Sequence, residues 1–333
     1  MHPKNVNDID GKNKALLTAA LFIVPIVWGG GFALTRFTLD AGLTPAGIML
    51  GRFSLAALLT GVLFGRQIKR EYRKGQYKGG FVIGLTLFAA FSTQTFALQY
   101  TTPANNAIIT GVYVVLVPLL YWVFTKQRPS LVLFIACAVS FAGAGVLAVN
   151  PADGFFVSAG DGLTLLCALL YAAQIVATGV LARTIHVSVL VFMQFCTAAA
   201  LSLPLMLISD GWLSGFAGFA GFAGFAGFAD AGFAGFANAV FAGFAGFAGF
   251  ANVGAYIGLL YLGLLSTCLC YFLQTFAQKW ISGPRVGIIL ATEVLFGALF
   301  SMLAGYDAPS PRLFLGGGLM IASILISEIW AVR

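Results

Sequence analysis

Long apolar stretches alternate with short polar breaks along most of the chain. Each stretch contains about 20 mostly apolar residues, the length that an α-helix needs to cross the hydrocarbon core of a bilayer. The pattern predicts ten transmembrane helices, at residues 16–36, 45–64, 79–99, 104–124, 131–149, 161–181, 187–208, 253–277, 285–304 and 313–330. With 60% hydrophobic and 9% charged residues, the chain is too apolar for an ordinary soluble domain. We therefore predict an all-α integral membrane protein.

The positive charge of the polar breaks alternates along the chain. If the N-terminus is cytoplasmic, 15 of the 18 Lys and Arg residues fall on the cytoplasmic side, where short loops retain positive charge. The opposite loops carry only Arg36 and Arg312, and Arg52 lies within the second span. This distribution predicts a multi-pass protein of the cell membrane with both termini in the cytoplasm. The net charge of +7 then faces the inner leaflet, and no nucleic-acid partner is expected.

The chain contains an internal repeat. The segment Gln94–Ala97 recurs as Gln274–Ala277, and the same shift in numbering, 180, holds through Ala107–Ile109 against Gly287–Ile289. Near the start of each half, Trp28 matches Tyr171 and Thr35 matches Thr178 at a shift of 143, a weaker likeness. Five spans is an odd number, so the two halves must have opposite orientations. Inverted repeats are typical of transporters that bind substrate between their halves.

The repeat predicts the domain organisation. Residues 1–15 form a cytoplasmic tail, 16–150 the first five-helix repeat and 151–333 the second. The difference between the two shifts equals the length of the low-complexity Gly-Phe-Ala segment at 215–251. We therefore interpret that segment as an insertion between spans seven and eight. A three-residue period fits neither a helix nor a strand, and an artefact of the sequence, a natural expansion and an interfacial segment all stay open.

Several motifs are similar to those of a known family. They are Trp28–Ala33 in the first span, Arg52-Phe53 in the second, Ala97–Ala104 and Thr110–Pro118 around the fourth, and Tyr261–Thr267, Gln274–Lys279 and Glu293-Val294 in the second half. Together they resemble the EamA-like branch of the drug/metabolite transporter superfamily. The resemblance implies a ten-helix secondary carrier that exports small metabolites, amino acids or drugs, in a bacterial inner membrane. Val294 stands where the family commonly has proline, which predicts a straighter ninth helix.

Two charged residues lie deep within predicted spans. Arg52 is about 11 Å from the outer edge and Glu293 about 12 Å from the inner edge, at about 1.5 Å per residue. Charges at such depth are costly and suggest function. They are candidates for binding the charged groups of a zwitterionic substrate, and Glu293 is also a candidate for carrying a coupling proton. A direct or water-bridged pair between them is within reach, and a structural ion pair or a snorkelling arginine remains the alternative.

Neutral side chains extend the list of candidate substrate-binding or coupling residues. Gln94 and Gln274 are repeat-related, Gln174 adds a third amide, and Trp28 and Tyr171 are a repeat-related aromatic pair that predicts the walls of a cavity. Interhelical hydrogen bonding and core packing explain the same residues equally well. The five cysteines lie in apolar segments without metal-ligand spacing, so no metal and no cofactor are predicted.

The main rival to a transporter is an intramembrane enzyme. The chain has two histidines, His2 and His186, both away from the centre of any span, and no cluster of His, Asp and Glu that would support hydrolysis. We therefore predict that it is not an enzyme. A non-transporting membrane scaffold remains a second alternative, and the sequence leaves open both the substrate and whether the protein is a monomer or a homodimer.

Overall fold

The computed structural model describes residues 11–148, 159–209, 253–306, 308 and 311–329. Every regular element in these ranges is a helix. The Gly-Phe-Ala segment at 215–251 and the boundary between residues 150 and 151 lie outside the described residues. The described helices form ten spans: Leu16–Asp40, Pro45–Glu71, Tyr77–Ala97, Pro103–Thr125, Leu131–Ala148, Ala159–Leu181, Val187–Ser209, Val253–Gln278, Gly283–Leu303 and Arg312–Ile329.

Eight of these ten helical segments are long and apolar enough to cross a membrane. The fifth and tenth, with 18 residues each, contain shorter apolar stretches. The predicted all-α membrane fold is confirmed. Hydropathy misplaces some helix ends, however, because it marks where the bilayer ends rather than where the helix does. The second helix continues beyond the predicted end at Phe64 to Glu71, through an exposed, basic last turn.

The first span begins at the predicted residue 16, but its helix starts before the span and contains a turn. A helix starts at Gly11 and ends at Leu21, and a new one runs from Ile23 to Asp40 after a tight turn at Phe22. Pro25 explains the turn, because proline has no N–H to donate to the carbonyl of Leu21.

Two spans on the same predicted side start with the same cap. Thr44 precedes Pro45, and its hydroxyl accepts a hydrogen bond from the Gly47 N–H at 3.0 Å. Thr102 precedes Pro103 and accepts from the Asn105 N–H at 3.2 Å. A threonine cap followed by proline satisfies a free N–H and presets the first helical residue. The second and fourth spans therefore begin where the sequence places them.

Spans four and nine are each interrupted near their middle. The helix of span four ends at Thr110 and resumes at Tyr113, and that of span nine ends at Leu290 and resumes at Glu293. Both breaks have the same i→i−3 hydrogen bonds, such as Val112 N–H to the Ile109 carbonyl and Thr292 N–H to the Ile289 carbonyl. The expected straightening of span nine is therefore wrong. Its tight turn forms without a proline, as the matching turn in span four does.

The spans pack in a two-fold pattern that relates the two halves. Span three packs on span six, and its repeat equivalent, span eight, packs on span one. Span four likewise packs on span six, and its equivalent, span nine, packs on span one. Spans two and seven, four and nine, and five and ten meet across the axis. Where the interrupted spans cross, Gly111 lies against Val294 and Gly297 against Ala107. The two interruptions therefore lie together at the centre of the molecule.

Candidate transport site

A buried arginine on the second span forms one wall of the central site. Arg52 is 2% exposed. Its Nε donates to Thr267 Oγ1 at 2.9 Å and its Nη2 to Ser266 Oγ at 3.2 Å. The guanidinium carbon lies 3.9 Å from the centre of the Phe91 ring, a cation–π contact. These contacts are all uncharged, and within the described part of the chain Arg52 forms no ion pair.

The partners of Arg52 lie on an unusual turn of the eighth span. Residues Tyr261–Leu269 form a π-helix between the α-helices Val253–Leu260 and Cys270–Gln278. Such a turn changes the direction in which side chains and carbonyls point, and it occurs frequently at functional sites. Here the Ser266 carbonyl accepts a hydrogen bond from Trp28 Nε1 at 2.7 Å. The π-helix thus contacts both a cation and an aromatic residue of the site.

Glu293 is the first residue of the second half of span nine. It is 4% exposed, and it has no basic partner among the described ion pairs. The Tyr113 side chain interacts with it, although the Tyr113 hydroxyl has no partner at good hydrogen-bond geometry. Tyr113 and Glu293 begin the two resumed helices and are equivalent positions of the internal repeat. A helix N-terminus favours a negative charge, which helps Glu293 to carry one at this depth.

Aromatic rings form a cluster beside Arg52, whose guanidinium lies over Phe91. Trp28 and Tyr271 have ring centres 5.0 Å apart, and Phe91 meets both Tyr171 and Tyr271 edge to face. The Tyr171 hydroxyl donates to Gln94 Oε1 at 3.2 Å. The predicted aromatic pair, Trp28 and Tyr171, therefore lies in one aromatic cluster at the centre of the fold.

The three candidate glutamines have different surroundings. Gln94 also donates to Thr110 Oγ1, at 3.4 Å. Gln174 donates to Thr178 Oγ1 at 3.0 Å and accepts from Gln274 Nε2 at 3.2 Å. Gln274 is fully buried between spans six and eight. It contacts Gln174 rather than the site itself.

Six of the seven candidate residues line one central cavity, which is partly open. They are Trp28, Arg52, Gln94, Tyr171, Gln174 and Glu293. Gln274 is not in the lining. The pair between Arg52 and Glu293 that the sequence left within reach is not among the described ion pairs, and Arg52 donates to span eight instead. The cavity therefore has a cation and an acid on separate walls, neither neutralised by the other.

Nine other residues line the cavity that were not among the seven candidate residues. They include Phe91, Tyr113 and Ser266, together with Gly31, Phe32, Thr35, Leu98, Ile175 and Leu262. For Tyr113 a signal existed, because the internal repeat makes it the equivalent of Glu293. For Phe91 none did, since an apolar residue in a span looks like core. Ser266 was visible only as part of the motif Tyr261–Thr267.

The fold and the cavity define a class of protein, namely polytopic membrane transporters with a central site between two related halves. The chain belongs to the EamA-like transporter family, whose sequence profile matches residues 15–149 and 230–328. It is 26% identical to an uncharacterized transporter of Archaeoglobus fulgidus over 332 residues, which is 98% of this chain and 90% of that protein. A crystal structure with 16% sequence identity superposes with a TM-score of 0.68, covers 97% of this chain and 99% of its own, and supports the fold alone. The protein is thus a membrane transporter.

Proposed function

We propose that the protein is a secondary transporter that exports a small zwitterionic solute, such as an amino acid or a similar metabolite or drug, by alternating access. The observation that carries the proposal is the cavity with Arg52 and Glu293 on separate walls. A buried charge without a partner costs free energy. A solute with a carboxylate and an ammonium group would neutralise both charges at once.

The other lining residues support a solute of this kind. Trp28, Phe91 and Tyr171 offer flat apolar surfaces, while Gln94, Gln174 and Thr35 offer hydrogen-bonding groups. Mostly apolar walls with a few oriented polar groups are typical of small-molecule sites. We place the protein in a bacterial inner membrane with both termini in the cytoplasm, and the proton is our candidate for the coupling ion that drives export.

Counterflow into vesicles tests the proposal. Purified protein is reconstituted into liposomes preloaded with unlabelled solute, and uptake of the labelled solute is measured. The solutes are first ranked by the thermal stabilisation they give the detergent-solubilised protein, because a bound ligand stabilises the folded state. We expect saturable counterflow for a zwitterion and none for its amide or its N-acyl derivative. An enzyme or a scaffold would give no counterflow with any solute.

A further inference from the structure

Thr267 orients the guanidinium of Arg52 through a hydrogen bond of fixed direction. Its hydroxyl donates to the Leu262 carbonyl, five residues earlier in the π-helix, at 2.7 Å. Because a hydroxyl has one hydrogen, Thr267 Oγ1 can only accept from Arg52 Nε, at 2.9 Å. The π-helix brings this carbonyl, five residues earlier in the chain, within reach of the Thr267 hydroxyl. The backbone of span eight thus sets the direction of a side chain on span two.

This arrangement leaves one edge of the guanidinium free for the cavity. Arginine has five N–H groups, and the contacts to Thr267 and Ser266 use two of them. Phe91 covers one face of the group. Three N–H groups, two of them on Nη1, remain for an oxygen ligand in the plane, which is the geometry that carboxylates prefer.

We propose that Thr267 is a positioning residue that aims Arg52 at the carboxylate of the solute. The inference rests on the proposed function and adds a residue that lies outside the cavity lining. The neighbouring Ser266 carbonyl holds Trp28 by a similar contact. A single π-helical turn therefore orients two walls of the site.

Two substitutions separate positioning from packing. Thr267→Val keeps the shape and removes the hydroxyl, whereas Thr267→Ser keeps the hydroxyl. We expect Val to raise the counterflow KM for the zwitterion about tenfold with Vmax kept, which corresponds to one lost hydrogen bond to a charged group. Ser should match the parent. If Val does not accumulate, Thr267→Ala takes its place.

The outcomes are distinct. A parental KM in the Val variant, or an equal loss in the Ser variant, would overturn the positioning role while leaving the transport function intact. A parent protein without counterflow for any solute would overturn the proposed function and this role with it.

A second inference comes from a ladder of amides between spans six and eight. Gln278 Nε2 donates to the Ile175 carbonyl at 2.7 Å, and Gln274 Nε2 donates to Gln174 Oε1 at 3.2 Å and to Gln278 Oε1 at 3.3 Å. Gln174 continues to Thr178. All three glutamines are fully buried. The ladder joins the two spans at their predicted cytoplasmic ends, below the cavity that Gln174 and Ile175 line.

The repeat relates this ladder to a place where the helices are apart. The shift of 180 relates Gln278 to Leu98 and Gln274 to Gln94. The shift of 143 relates Ile175 to Phe32, Gln174 to Gly31 and Thr178 to Thr35. All five related residues line the cavity. Spans one and three therefore leave an opening where spans six and eight are joined. There Gln94 bonds Thr110 and Tyr171 instead, and the long side chain of Arg36 reaches across from span one to the Leu98 carbonyl at 2.9 Å.

We infer that the amide ladder closes the cavity towards the predicted cytoplasmic side and must break for the solute to enter from there. In an inverted repeat, the opposite state exchanges the conformations of the two halves. The opening between spans one and three would then close on the solute from the outer side. Gln278 is the key member, because its repeat-related residue, Leu98, cannot form the same hydrogen bond.

Exchanging the repeat-related residues tests the ladder. Thr35→Cys places a thiol in the cavity, and a membrane-impermeant maleimide is applied to each side of oriented vesicles in turn. We expect labelling from the predicted outer side only. Gln278→Leu removes two of the four hydrogen bonds of the ladder, those to Ile175 and Gln274, and Leu98→Gln adds an amide at the opening, so each should shift labelling towards the cytoplasmic side. One buried hydrogen bond corresponds to about a tenfold change in the ratio of the two states.

Gln194→Leu is the matched control, because Gln194 is a fully buried glutamine of span seven whose amide has no partner in the described structure. It should leave the labelling ratio unchanged. Unchanged labelling in both Gln278→Leu and Leu98→Gln would overturn the inference, as would an equal shift in the control. The assay needs no solute, so its failure is separate from failure of the proposed substrate class. Leu98→Gln remains informative if Gln278→Leu does not fold.

Discussion

Removing the charge of Glu293 is the most direct test of the site. Glu293→Gln keeps the size of the side chain and removes its negative charge. The residue is 4% exposed and has no basic partner among the described ion pairs, so in the proposed complex the solute's ammonium group is its counter-ion. Losing one partner of a buried, hydrogen-bonded charge pair costs about 2–5 kcal/mol. The cavity has an open mouth, so we take the lower end, about 2 kcal/mol, which is roughly a 30-fold loss of affinity.

Folding should not suffer from this change. The charge at the start of the helix Glu293–Leu303 gains about 0.3–1 kcal/mol from the helix dipole, whereas an uncompensated charge at membrane depth costs several kcal/mol. The second effect is larger, so the Gln variant should be at least as thermally stable as the parent. Stability and transport therefore move in different directions, which separates a functional role from a structural one.

The assay is solute affinity and counterflow measured across a range of pH. If Glu293 binds the ammonium group, the Gln variant loses affinity at every pH. If Glu293 carries a coupling proton, the variant loses the pH dependence of transport but still exchanges solute. Glu71→Gln is the control, because Glu71 pairs with Arg70 at the exposed end of span two and such pairs contribute little. A Glu293→Gln variant that transports like the parent across the pH range would refute the assignment.

Further predictions concern topology, the insert, helix packing and a loop histidine. A reporter fused after Arg333 should be cytoplasmic, and periplasmic activity would contradict the ten-span orientation. Deletion of residues 215–251 restores the repeat register and should preserve folding and counterflow; unfolding would show that the segment belongs to the architecture. Gly29→Ala should destabilise the protein by about 1–3 kcal/mol, because the added Cβ would meet the backbone of span nine. Gly318→Ala is the control, because there is open space around Gly318, and it should leave Tm unchanged. Burial lowers the pKa of His186 below its usual value, so folding favours its neutral form and the contribution of His186 to stability is lost as pH falls. Tm should therefore fall on acidification below about pH 6.5. His186→Gln should flatten this dependence of Tm on pH.

Much of the architecture follows from local properties of the sequence. Hydropathy located all ten spans, because lipid requires a continuous apolar surface and satisfied backbone groups in each of them. The internal repeat paired spans three and four with eight and nine, and the packing follows the same two-fold relation. Arg52 and Glu293 stood out because a charge within an apolar stretch is visible without any knowledge of its neighbours.

The contacts that give these residues their surroundings depend on the tertiary structure. Arg52 is 215 positions from Thr267 along the chain, and only the packing of span two on span eight determines that it binds there rather than to Glu293. The same holds for Gln274. Its repeat relation to Gln94 suggested a cavity residue, but the contact between spans six and eight keeps it out of the lining. A sequence pattern reports how deeply each residue is buried. Which groups then meet is decided by helix packing, because partners such as Thr267 for Arg52 and Gln174 for Gln274 come from other spans.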